Sequence, residues 1–143
     1  LEKYGHEALA EVIARKNMQT MHKVFQSTGT IWELYSPDMY MPATDATGIH
    51  MVKPNFVGWS GLIPISMFIE NIIGIRTDGS ANRINWRSNS PKRHGIQNLR
   101  FGNITTTLIR EGDTLDIQSN APYTLEINGI EYDIKEGNNQ IQL

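Results

Sequence analysis

The chain has 143 residues, 39% of them hydrophobic, long enough to bury roughly two-thirds of its extended surface by the usual size scaling. Its 13 Lys and Arg against 15 Asp and Glu give a net charge of -2, and no basic cluster offers the phosphate-neutralising footprint of a nucleic-acid partner. The absence of cysteine excludes disulfides, zinc–thiolate sites and a thiol nucleophile, and leaves the compartment open.

The opening Leu1-Glu2-Lys3 carries no basic-then-apolar leader and reads as the middle of a longer sequence. From Glu2 to Thr28 there is no proline, and Leu9, Val12, Ile13, Met21, Val24 and Phe25 recur at helical spacing. A long helix is expected there, stopped by Ser27-Thr28-Gly29. Thr30 to Asn55 contains Pro37, Pro42 and Pro54 with Asp38, Asp45 and Gly48, the makings of an irregular loop, and loops of such length are commonly functional.

A second helix is expected from Ser60, or from Pro64 in its first turn, to Gly74. Gly58, Ser60, Gly61, Pro64, Ser66 and Glu70 interrupt the apolar run from Phe56 to Ile73, so the reading is a buried helix and no membrane span. With Leu62, Ile63, Ile65, Met67, Phe68, Ile69, Ile72 and Ile73 on it, nearly every side needs a cover that a small domain can hardly supply. After Arg76 short alternating runs follow: Arg83 to Arg87, Ile96 to Phe101, Thr105 to Arg110, Thr114 to Ser119, Tyr123 to Ile127 and Ile130 to Ile134. Asn128-Gly129 between the last two is a strong hairpin signal, both residues tolerating positive φ. The expected class is α+β: a helical part over residues 1–76 and a small antiparallel β part over 77–143.

Thr30 to Pro37 sets Glu33 between Trp32 and Tyr35 just after a helix. Aromatic faces stack on the C–H surfaces of sugars, and a carboxylate beside them can polarise a water. The alternative is an exposed loop charge with rings packed at the rim. Phe56-Val57-Gly58-Trp59-Ser60-Gly61 reads either as a pocket floor or as a Trp59 plug with capping chemistry. His6, His22, His50 and His94 lack metal-box spacing, and Asp38 and Asp45 lack the pattern of a calcium loop, so no metal is expected. Asn103-Ile104-Thr105 fits the glycosylation sequon, a frequent accident. No phosphate loop, nucleophile elbow or dinucleotide fingerprint is present, and no cofactor is expected.

Gly29-Thr30-Ile31-Trp32-Glu33-Leu34-Tyr35-Ser36-Pro37, then Phe56 to Ile65, then Ile69-Glu70-Asn71-Ile72-Ile73-Gly74-Ile75 resemble the last part of the glycoside hydrolase family 63 and trehalase-like group. That group includes mannosyl-oligosaccharide glucosidase, trehalases and mannosylglycerate hydrolase-like enzymes. His94 to Gly102 also resembles the strand entry that follows the barrel in bacterial members. The resemblance covers nearly the whole chain. It implies the last two helices of an (α/α)6 barrel followed by a β domain, and inversion at an α-glycosidic bond.

In the group's pattern the base glutamate follows the penultimate helix, which matches Glu33. The acid aspartate lies well upstream, where nothing in this chain matches. Such a pair works roughly 6.5 to 9.5 Å apart, the base deprotonating water while the acid protonates the leaving oxygen. Trp32, Tyr35 and Trp59 would then orient the sugar. The implied partners are a carbohydrate substrate and either the upstream remainder of the enzyme or a second copy, and the chain alone is expected to be inactive. A non-catalytic carbohydrate-binding or structural module is the competing reading.

Overall fold

The computed structural model describes residues 1–43 and 57–143. The chain is α+β and divides into two compact units, Leu1–Ile72 and Ile73–Leu143.

In the first unit the expected long helix is broken near its start. A 3₁₀ turn, Glu2–Tyr4, ends at Gly5 with φ 75°, and α1 runs Glu7–Thr28. The glycine takes a left-handed conformation that would strain any other residue, and the helix restarts beyond it. Gly29, with φ 73°, ends α1, and its N–H donates to the Phe25 carbonyl at 2.7 Å. That is the helix stop read from Ser27-Thr28-Gly29.

The buried stripe of α1 is Ala10, Ala14, Met21 and Val24. This corrects the expected apolar face, since Leu9, Val12, Ile13 and Phe25 are exposed, at 43 to 50%. Periodicity identified the apolar residues correctly, but the part of the unit that α1 meets is narrow and is served by alanines.

A 3₁₀ turn, Gly58–Gly61, leads into α2, Leu62–Ser66, which continues as a π-helix, Met67–Ile73. Pro64 lies in the first turn of α2, where no backbone N–H is needed for an intrahelical bond. Pro64 is buried, but Leu62, Ile63, Ile65 and Phe68 are exposed, Leu62 at 66%, as expected of an apolar helix whose cover a small unit can hardly supply. α1 touches α2, and Asn71 Nδ2 donates to Glu2 Oε1 at 2.8 Å, pinning the opening turn to the π-helix. Among the described residues no helix is long and apolar enough to cross a membrane.

The second unit has eight strands: β1 Ile75–Asp78, β2 Arg83–Trp86, β3 His94–Phe101, β4 Ile104–Glu111, β5 Thr114–Ser119, β6 Tyr123–Ile127, β7 Ile130–Ile134 and β8 Gly137–Gln142. They form two four-stranded sheets, ordered β1-β2-β6-β7 and β3-β4-β5-β8. Alternation along β4, β5 and β6 buries one face: Ile104, Thr106, Leu108; Leu115, Ile117, Ser119; Tyr123, Leu125, Ile127. Such alternation is the pattern of a sheet with one dry side.

Contacts join the two dry faces. Phe101 meets Tyr123 edge-on at 5.6 Å, and the Tyr123 hydroxyl lies 3.1 Å from Thr106 Oγ1. The expectation of a wholly antiparallel β part is corrected at one place, because β2 and β6 pair in parallel, Arg83 opposite Thr124. The intervening strands β3 to β5 lie in the other sheet, so β6 returns to β2 in the same direction. Alternation in sequence cannot reveal that, and it also missed the short β1 and the Asn- and Gln-rich β8.

Two turns show how sequence sets the strand connections. Asn128 and Gly129 have φ of 50° and 85°, both in the left-handed region that a two-residue I′ hairpin demands, and Ile127 pairs with Ile130 across it. Between β1 and β2, Asp78 accepts from the N–H groups of Ser80 and Ala81 and from the Ser80 hydroxyl at 2.6 Å. These bonds, the Ser80 hydroxyl first, hold its carboxyl below the usual carboxylate range.

Candidate functional site

The end of α1 positions the segment that carries Glu33. Thr28 Oγ1 donates to the Val24 carbonyl at 2.8 Å and accepts from the Trp32 indole N–H at 2.9 Å. The indole is thereby drawn against Val24, with Tyr35 packed alongside. The Trp32 backbone N–H donates to the Tyr35 hydroxyl at 3.0 Å, so both polar ends of the aromatic pair are satisfied. Trp32 is only 5% exposed. A buried ring with its N–H engaged anchors the loop.

Beyond it the chain folds back on itself. Ser36 N–H donates to the Met41 carbonyl at 3.0 Å and Ala43 N–H to the Leu34 carbonyl at 3.1 Å, on either side of a bridge between Tyr35 and Pro42. Ser36 Oγ accepts from the N–H groups of Asp38 and Met39 at 3.3 Å each and closes the tip. The Lys23 ammonium sits 3.9 Å above the Tyr40 ring, a cation–π contact that ties the tip back to α1.

Glu33 lies between the buried anchor and this fold-back, itself half-buried. Among the described residues its carboxylate has no hydrogen-bond or ion-pair partner. Tyr35 is half-buried, and Asp38 is exposed at the tip. The structure thus gathers Trp32, Glu33 and Tyr35 on one short anchored segment. Trp59 lies in the 3₁₀ turn Gly58–Gly61, and its side chain is outside the described set, as are Asp45, His50 and Phe56. Among the described residues no group of three His, Asp or Glu side chains gathers that could hold a metal ion.

A second polar constellation, which sequence reading missed, lies in the β unit. Ser88 Oγ is 2.8 Å from His94 Nε2, and His94 Nδ1 is 2.6 Å from the Lys92 carbonyl. Since a carbonyl only accepts, Nδ1 carries a proton, and a neutral ring would then accept at Nε2 from the Ser88 hydroxyl, the polarity of a nucleophile and its base. Burial argues against that chemistry. Ser88 is 2% exposed, and Arg110 donates to its Oγ at 3.0 Å and to its carbonyl at 2.8 Å. Asn128 brackets the Ser88 backbone through its amide, at 3.0 and 2.9 Å, and His94 stands edge-on to Trp86 at 5.5 Å. Every group is spent on its neighbours, so the cluster is a satisfied polar knot in the sandwich.

No family model matches the chain, and no curated protein matches it. Among solved structures it is similar to one described as "Putative kojibiose phosphorylase from human microbiome", at 15% identity and a TM-score of 0.42. The match covers 57% of this chain and 12% of that one.

Proposed function

We propose that this chain is the C-terminal segment of an inverting glycosidase acting on α-glycosidic bonds, in which Glu33 is the general base. The observation that carries the reading is the state of Glu33: a half-buried carboxylate with no partner among the described residues, on a loop fixed by the Trp32 anchor. A base that activates water needs an ionised carboxylate not already spent on a cation, held so that it costs no reorganisation at the moment of reaction. The resemblance of the Trp32-Glu33-Leu34-Tyr35 segment to the family 63 and trehalase-like base position supports the same assignment.

Trp32 acts in this scheme by placing Glu33, while Tyr35 and Trp59 contact the sugar. The acid aspartate comes from barrel helices upstream of this segment, and the exposed apolar faces of α1 and α2 are where those helices, or a second copy, dock. Contiguous apolar surface of this kind marks interaction sites.

The test joins the segment to such a barrel and compares Glu33→Gln with the parent on a panel of α-linked glucosides and mannosides. Glutamine keeps the shape but cannot take the proton from water, so turnover should fall roughly a hundred- to ten-thousand-fold with sugar binding retained. Turnover largely unchanged would remove Glu33 from the mechanism and turn attention to Asp38 and Asp45. The second reading, a carbohydrate-binding or structural module, draws on one observation, the closed core of the β unit. It predicts that residues 73–143 fold and bind sugar without Glu33.

A further inference from the structure

We infer that the outer face of the β3-β4-β5-β8 sheet carries a binding site for a neutral oligosaccharide, separate from Glu33 and independent of its role. A cleft of about 240 Å³ opens there, with Asn98, Thr105, Thr107, Gln118 and Asn120 in its lining. Its lining has no ionised, aromatic or aliphatic side chain. An anion, which needs donors with positive charge, finds none on this surface, where hydroxyls and amides alternate with the methyl and methylene carbons of the same side chains, the mixture that the O–H and C–H groups of a sugar ring meet. Amides and hydroxyls both donate and accept, and the ligand that does the same at every position is a sugar.

Part of the cleft is fixed and part is left free. Thr105 N–H donates to Asn120 Oδ1 at 2.7 Å, and Asn120 Nδ2 donates to the Asn103 carbonyl at 3.3 Å, so Asn120 is held. Thr107 Oγ1 accepts from the Asn98 N–H at 3.1 Å, leaving its own proton to give. The side-chain amides of Asn98 and Gln118 have no partner among the described residues.

Asn98 sits at a break in strand register between Ile96 and Leu99, with φ 54°. Bulges of this kind re-aim side chains and cluster near functional sites. Thr107 faces Gln118 across β4 and β5, and Gln118 faces Asn138 on β8. Adjacent strands lie about 4.8 Å apart, which sets the polar groups at intervals comparable to one sugar ring.

The test is saturation-transfer NMR on the full chain, which tolerates self-association, with maltotriose and cellotriose as α- and β-linked probes at millimolar concentration. Transfer to at least one probe is expected, with loss on Asn98→Ala/Gln118→Ala corresponding to about tenfold weaker binding, the scale of one or two hydrogen bonds. Thr107→Val, which keeps the branched shape of the side chain, should reproduce the loss in part if the double variant is poorly folded. Glu33→Gln should leave transfer intact. No transfer to either probe, or undiminished transfer in both cleft variants, would overturn the site.

Discussion

The two units handle apolar residues in opposite ways. In the β unit Ile84, Trp86, Leu108, Leu115, Leu125 and Ile127 are all at most 2% exposed, and Ile130 is the large apolar side chain left in the open among the described residues. In the helical unit Leu9, Val12, Ile13 and Phe25 of α1 and Leu62, Ile63 and Ile65 of α2 face outward, while the stripe that α1 buries includes two alanines. The sheets close over their own core; the helices present a surface. An apolar period reports which face wants cover, and is silent about what supplies it.

Four measurements test that contrast. The largest is Leu125→Ala in β6, expected to cost about 2–5 kcal/mol of unfolding free energy, because a fully buried leucine leaves a cavity that a tight sandwich cannot collapse. Urea denaturation followed by near-ultraviolet circular dichroism reads it, and a loss below about 1 kcal/mol would mean that the sandwich core is loose.

Next is alkaline sensitivity. Burial, partly offset by the hydrogen bond with Thr106, pushes the Tyr123 hydroxyl from 10.0 up to about 12. Above pH 10 the unfolded chain loses this proton before the folded one does, so the unfolded state binds fewer protons and stability falls as pH rises from 10 to 12. The total is on the order of 2–3 kcal/mol. Tyr123→Phe should flatten that part of the pH profile; Thr106 keeps a partner in the Gln118 carbonyl at 3.1 Å. An unchanged slope would dissociate it from Tyr123.

Trp32→Phe removes the indole N–H that Thr28 accepts, and should cost about 1–2 kcal/mol. Hydrogen exchange should show the loss at the Ala43 amide, which bonds to Leu34 across the fold-back, and none in β4 or β5. Protection lost equally in both units would contradict their separate cores. The smallest effect is Leu62→Gln with Phe68→Gln, within about 0.5 kcal/mol of the parent because both side chains are already exposed. Binding of an apolar dye and light scattering should both drop. Strong destabilisation would show that the helix is covered after all, by association.

Legibility in the sequence followed the range of the interaction. Gly29 and Asn128-Gly129 were readable because a left-handed backbone position announces itself in one or two residues. Gly5 was not, since a glycine among helix formers reads equally well as a tolerated weak spot. The α+β class followed from the change of period near Arg76, although β1, Ile75–Asp78, straddles that point.

Pairing was out of reach: nothing local to Arg83 or Thr124 says that they lie side by side. At the candidate site the neighbourhood of Glu33 was visible, but the burial of Trp32 depends on Thr28 and Val24, four and eight residues back. The Ser88–His94 knot and the Asn98 cleft are assembled across strands, where no spacing rule reaches.

The parallel β2–β6 pair also governs the order in which the sandwich can be built. The β6–β7 hairpin is local, of the kind that closes on the microsecond scale, but β6 pairs with β2 across a stretch of chain that holds β3, β4 and β5, all in the opposite sheet. Loop closure of that length is entropically costly before any contact rewards it, and topologies dominated by distant pairings fold in milliseconds to seconds. During synthesis β1 and β2 therefore emerge as an open two-stranded edge, a template for wrong partners, until β6, Tyr123–Ile127, arrives to pair with β2.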